Sequence, residues 1–293
     1  MDNNKLELEK IEPAKIAEDS IVKKNFVDIL MKIHKCQKDE AESIYEKEAL
    51  YYKKAITDSQ KLQNCAKVTL FNAFLEIAVN NLSIQPGGKY EAYLEAKAAN
   101  IGDRNNPKWI YNARFVISAY GELTLRMRAG QIIRMNNPIV IYEGDRFQPR
   151  TNERGELIID YAAAVPRTSK KILGCWVSMV LPNNLMDFKW LLEDDIERLK
   201  RYSIPKFGDN PKPNALYSSN GGQIDTGFLE TKTIKHSMKG CTKLRISDGA
   251  SFEGDDEDEA VAHNDAFDAP QPQNDNQQSI NQGITVDVGE EEW

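Results

Sequence analysis

KWIYNARFVIS (Lys108–Ser118), running straight into AYGELTLRMRAG (Ala119–Gly130), is the stretch that decides the fold. Side chains in its first half alternate with the period of a strand. Trp109, Tyr111, Ala113 and Phe115 share one face, and Lys108, Ile110, Asn112, Arg114 and Val116 share the other. The second half predicts a short helix over roughly 120–129, closed by Gly130 at its C-terminal cap. A strand that yields directly to a helix calls for a sheet packed by helices.

Working outward, Tyr90–Leu94 alternates in the same way, and a polar loop, Gly102–Pro107, separates it from Lys108–Ser118, so the two predict a hairpin. Upstream, apolar residues recur at three-to-four spacing over 20–56, which predicts one or two amphipathic helices with Asp39 as a candidate cap. A more buried helix is expected over 62–82, stopped by Ser83–Gly88 with its proline and two glycines. Downstream, strands are expected near 131–135, 138–143, 156–163 and 172–181, with turns at 136–138, 144–145, 153–155 and 182–184. A helix follows over Leu192–Tyr202, then a mobile loop over Ser203–Gly227 with three prolines and four glycines, then a last helix over about Phe228–Leu244. The expected class is α+β: N-terminal helices, a central antiparallel sheet packed with helices, a C-terminal basic helix and a disordered acidic tail. The expected divisions are a flexible 1–19, a core at 20–250 and the tail at 251–293.

Charge divides the chain. Residues 251–293 carry 13 acidic side chains and no lysine or arginine, which leaves 38 basic against 32 acidic in residues 1–250. A basic body with an acidic end fits a nucleic-acid handler whose tail competes for the basic surface or recruits a partner. Cys36, Cys65, Cys175 and Cys241 are scattered, as are His34, His236 and His263, so zinc spacing is absent. No apolar run approaches the roughly 18 residues of a membrane span, and Met1–Lys15 is charged throughout. A reduced, cytoplasmic protein is expected, with no membrane partner.

Several residues are candidates for chemistry. Lys108 and Arg114 share a strand face that serves either as the solvated side of a core strand or as a phosphate contact. Spacing alone does not choose. Arg126 and Arg128 diverge by about 200° on a helix, so only one of them faces a given ligand. Lys232, Lys235, Lys239 and Lys243 fall within an arc of about 80° on the last helix, opposite Leu229, Ile234 and Met238. Such a stripe is either a solvated face or a phosphate track, and bound phosphate would relieve the repulsion among its lysines. Glu143, Asp145, Asp160, Glu193, Asp194 and Asp195 are the carboxylates from which a metal-dependent nuclease would draw. Gly88-Lys89 is followed by tyrosine, so no phosphate-binding nucleotide loop is formed there.

The order of motifs resembles the RecT family of phage-type single-strand annealing proteins, within the RecT/Red beta superfamily. The likeness rests on Asn80–Ile84, Gly87-Gly88 and Tyr93-Leu94, then on Gly121, Leu123, Leu125, Arg128, Gly130 and Gln131. It ends with Glu143–Asp145, Phe147 and Thr231–Thr233, and covers about residues 20–247. Tyr120, where the family often has a basic residue, and the long Ser203–Gly227 insertion depart from the pattern. The resemblance implies ATP-independent binding of single-stranded DNA and annealing of complementary strands in homologous recombination, with no bond changed. It implies a homo-oligomeric ring or filament holding single-stranded DNA and annealed duplex in a basic groove by their backbones, which leaves base edges free to pair. Lys108, Arg114, Arg126, Arg128, Lys232 and Lys235 are the groove candidates. No cofactor is expected to be required, with Mg2+ only assisting DNA binding. A partner exonuclease is implied. Gly289–Trp293 is loosely similar to the acidic, aromatic-ended tip of bacterial single-strand-binding proteins, although a solvating tail is the simpler reading. A single-strand-binding protein is the other expected partner. A metal-dependent nuclease and a passive coating protein are the alternatives.

Overall fold

The alternation around Arg114 becomes strand β2 (Trp109–Ile117), paired antiparallel with β1 (Ala92–Asn100) from Ala92 opposite Ile117 to Asn100 opposite Trp109. The computed structural model describes residues 8–103, 106–205 and 211–253. Ala113, Phe115 and Ile117 turn inward and join the core that helix α4 (Lys67–Asn80) supplies with Leu70, Phe74 and Ile77. The opposite face of the hairpin bears Tyr93, Glu95 and Lys97 beside Val116, Arg114 and Asn112. Helix α5 (Ala119–Arg128) follows at once. The Ser118 hydroxyl accepts from Gly121 N at 3.2 Å to cap it, and Gly130 takes the left-handed φ of 68° expected of a residue ending a helix.

The N-terminal helices are α1 (Ser20–Ile29), extended by a π-helical turn over Leu30–His34, α2 (Lys38–Asp58) and the short α3 (Gln60–Gln63). Their aromatic centre is Phe26 stacked on Phe74 at 4.8 Å, with Tyr52 edge-on at 5.0 Å, all three fully buried. Asp39 lies in the first turn of α2, and Gln37 occupies the cap. The helix expected over 62–82 is broken into α3 and α4, because Ala66 N leaves helical geometry to donate to Tyr111 O on β2. The segment expected to be flexible at 1–19 is packed from residue 8. Ile16 and Ala17 are fully buried, and the Tyr45 and Tyr52 hydroxyls donate to the carbonyls of Ala17 and Pro13.

A second sheet centres on β7 (Ile172–Val180). β3 (Arg134–Met135) and β4 (Ile139–Tyr142) also pair with β7, as does β8 (Met186–Leu192), all antiparallel. A separate hairpin joins β5 (Arg146–Thr151) to β6 (Leu157–Ala162). Its Phe147 and Tyr161 rest on Trp176 at ring separations of 6.3 and 5.7 Å. β5 and β8 are strands beyond those expected from the sequence. β5 contains Pro149, which a two-stranded ribbon tolerates on its outer edge.

Helix α6 (Glu193–Tyr202) and helix α7 (Thr226–Met238) complete this half, with Leu229, Thr233, Ile234 and Met238 of α7 buried. Part of the loop expected between them is ordered: Tyr217 is buried, edge-on to Phe228 at 5.2 Å. α7 ends two residues before Gly240, so Lys239 stands at the cap and Lys243 lies off the helix. The four-lysine stripe is cut to Lys232 and Lys235. The chain then returns to the first sheet, where β9 (Ala250–Phe252) lies parallel to Phe115–Ile117 of β2. The sheet thus claims residues 251–252 that were assigned to the tail, and residues 254–293 lie outside the described residues. Among the described residues no helix is long and apolar enough to cross a membrane.

Candidate nucleic-acid interface

A cleft of about 720 Å³ opens where the outer face of the β1–β2 hairpin meets the start of α7. The hairpin contributes Tyr93, Glu95, Arg114 and Val116. The turn after Gly87 adds Lys89 and Tyr90, α5 adds Tyr120, α7 adds Phe228, Glu230, Lys232 and Lys235, and β9 adds Phe252 with Glu253 beyond it. Alternation places Arg114 here, because Ala113 and Phe115 on either side turn into the core. Asp225 places the α7 residues by accepting from Phe228 N at 2.9 Å and starting the helix.

Cations and rings are interleaved in the cleft. The ammonium of Lys89 lies 5.7 Å from the Tyr120 ring, and that of Lys232 lies 5.1 Å from the Phe228 ring. Tyr90 and Tyr93 meet edge-on at 5.4 Å. Burial raises the pKa of the Tyr90, Tyr93 and Tyr120 phenols, and nearby Glu253 adds to the rise for Tyr90 and Tyr93. All three therefore stay neutral hydrogen-bond donors at physiological pH. Lys89, Arg114, Lys232 and Lys235 face four carboxylates, Glu95, Asp225, Glu230 and Glu253. Glu95 lies directly across the hairpin from Arg114, and Asp225 is engaged as the α7 cap. Burial pushes the Glu230 carboxyl up, against the pull of Lys89. The cleft is therefore mixed in charge, with its positive character extended along the hairpin by Lys97.

The six residues expected in the groove separate. Arg114, Lys232 and Lys235 converge in the cleft. Lys108 has the parity of Arg114 but sits near the hairpin tip, six residues away, or about 20 Å along the strand. Arg126 does not line the cleft. It is 6% exposed, and its guanidinium donates to Glu122 Oε1 at 2.5 and 2.8 Å, to Gln131 Oε1 at 2.7 Å and to Thr242 O at 3.0 Å. It lies on the side of α5 that packs inward. Arg128 donates to Asn81 O at 2.7 Å, which satisfies the C-terminal end of α4 and draws it outside the cleft. Lys89, Tyr90, Tyr93, Tyr120 and Phe228 escape a reading by local pattern. Gly87-Gly88 reads as a helix stop, although it also frees the following Lys-Tyr pair to turn over the hairpin.

The carboxylates considered for metal chemistry are dispersed into separate local contacts. Asp145 accepts from Tyr142 N, Ala164 N and the Tyr161 hydroxyl. Burial alone would raise its pKa, but these donors and Arg167 outweigh it and hold the carboxyl below its usual range. Asp160 pairs with Arg146 at 2.5 Å and Glu193 with Lys171 at 3.0 Å, while Asp195 accepts from Leu192 N at the start of α6. Glu143 accepts from the Ser169 hydroxyl. Among the described residues no three His, Cys, Asp or Glu side chains gather in a metal-binding group.

Comparison with known protein families matches residues 51–220 to the RecT family, while no curated protein gives a significant match. The matched span runs from the middle of α2, through the hairpin, α5 and the second sheet, to the segment before α7. With more than half of its length matched and the motif order in agreement, this chain belongs to the RecT family, whose members anneal single-stranded DNA in recombination.

Proposed function

We propose that this chain binds single-stranded DNA in the cleft between the hairpin and α7 and anneals it to a complementary strand without ATP. The observation that carries this reading is the convergence of Arg114 from β2 with Lys232 and Lys235 from α7, beside Lys89 and five aromatic rings, those of Tyr90, Tyr93, Tyr120, Phe228 and Phe252. The cations neutralise phosphates, and Tyr90, Tyr93, Tyr120 and Phe228 offer faces on which bases stack without being read by sequence. Lys97 and Lys108 extend the track along the hairpin, so that a strand leaves the cleft over its outer face. Binding energy drives the reaction, and no bond is broken. The protein works as a cytoplasmic homo-oligomer, ring or filament, supplied with single strands by a partner exonuclease. Mg2+ assists binding without being required.

The test is annealing of two complementary fluorescent oligonucleotides without ATP, with a parallel gel for cleavage. Faster pairing with both strands intact supports the reading. Unchanged pairing with intact strands leaves a coating protein, and shortened strands return attention to the carboxylates.

A further inference from the structure

One wall of the cleft is the end of the described chain, and its route there is held at several points. After α7, Arg126 and Gln131 donate to the carbonyl and the hydroxyl of Thr242 at 3.0 and 2.8 Å. Asn80 Nδ2 donates to the Ser247 hydroxyl at 2.8 Å, and that hydroxyl donates to Glu76. Gly249 passes so close to Glu76 that a Cβ there would fall 2.4 Å from Oε1. β9 then pairs with β2, and Glu253 N donates to Ile117 O at 2.7 Å. The route ends with Glu253 Oε1 at 3.5 Å from the Tyr90 hydroxyl, inside the cleft.

From that point the sequence reads EGDDEDE (Glu253–Glu259), six acids in seven residues with no basic side chain. We propose that this acidic segment occupies the cleft in cis when DNA is absent, and that an incoming single strand must displace it. The inference rests on the cleft being the DNA site. Six residues beyond Glu253 reach up to about 20 Å, enough to cross from β9 to the first turns of α7. Tethering raises the local concentration of the segment to the millimolar range, so weak individual contacts suffice. Lys89, Arg114, Lys232 and Lys235 face Glu95, Asp225 and Glu230 once Glu253 is counted with the segment. The margin of positive charge is small. It favours a displaceable occupant over a permanent one, and the neutral Tyr90 and Tyr93 phenols supply further donors to carboxylates.

The experiment compares the full chain with a full chain in which Asp255, Asp256, Glu257, Asp258 and Glu259 are replaced by Asn or Gln, Glu253 being kept so that β9 and its contact persist. Two readouts are taken: amide hydrogen exchange of residues 88–93 and 227–235 without DNA, and oligo(dT) affinity by fluorescence anisotropy at low and high salt. The expected result is loss of protection in both stretches and about tenfold tighter DNA binding at low salt. That gain should shrink at high salt and vanish when Lys89 and Lys232 are also changed to Ala. Unchanged exchange overturns the inference whatever the DNA affinity does, as does a gain that survives the Lys89→Ala and Lys232→Ala changes. Lost protection with unchanged DNA affinity supports the docked segment and instead overturns the cleft as the DNA site.

Discussion

Arg126 and Arg128 stand two positions apart in α5 and do different work. Arg126→Ala leaves Glu122, itself 7% exposed, without its partner, and should destabilise the protein by about 3–5 kcal/mol in urea unfolding while the folded fraction still binds DNA. Lys232→Ala should do the reverse. Its stability should stay within about 0.5 kcal/mol, while single-strand affinity falls and the slope of log affinity against log salt becomes shallower by about 0.7. Equal DNA affinity for wild type and Lys232→Ala would remove α7 from the interface. Glu48 gives a pH signature. It accepts from the Ser83 hydroxyl at 2.5 Å and from Ile84 N at 3.0 Å, and burial raises its pKa above the ordinary 4.5 despite those bonds. A raised carboxyl binds its proton more tightly in the folded state, so its contribution is fully present below pH 4.5 and is lost as pH rises through the folded value. Glu76 titrates in the same sense, so the test is the difference between wild type and Glu48→Gln. Wild type should lose stability relative to the variant as pH climbs from 4.5, and parallel curves would refute it.

At the scale of elements, long patterns were legible and short ones were not. The hairpin and α5 follow from Lys108–Gly130 because nine alternating residues and ten helical ones each complete several periods. β8 was missed although Met186, Phe188, Trp190 and Leu192 alternate with Asp187 and Lys189, because so short a run completes few periods before α6 begins, and its strand state is secured by pairing with β7. Two substitutions probe the junctions. Gly121 meets Glu91 O so closely that an added Cβ would lie 2.0 Å away, so Gly121→Ala must push α5 off the start of β1. A loss of about 1–3 kcal/mol by chemical denaturation is expected, and a neutral result would deny that contact. Phe74→Ala opens the centre of the helical layer and should lose about 3–5 kcal/mol, read in the same way.

Across the whole molecule, the candidate interface was only half legible. The sequence supplies Arg114, Lys232 and Lys235 as separate suggestions, but their meeting depends on packing between elements more than a hundred residues apart. Arg126 and Arg128 were indistinguishable beforehand, since the helix angle separates them without saying which faces inward. Lys239 and Lys243 dropped out because α7 ends before Gly240, and Lys89 entered because a turn read as punctuation folds back over the hairpin. The parallel pairing of β9 with β2 also orders events in time. β9 is synthesised after every other described element, and its partner Phe115–Ile117 was made well over a hundred residues earlier. Closing so long a loop is slow compared with forming the β1–β2 hairpin, so the nascent chain exposes an open edge of β2 until β9 has paired with it. That edge is where a second nascent chain could pair wrongly, and the late arrival of a strand followed by five acids within the next six residues places repulsive charge beside it just as it closes.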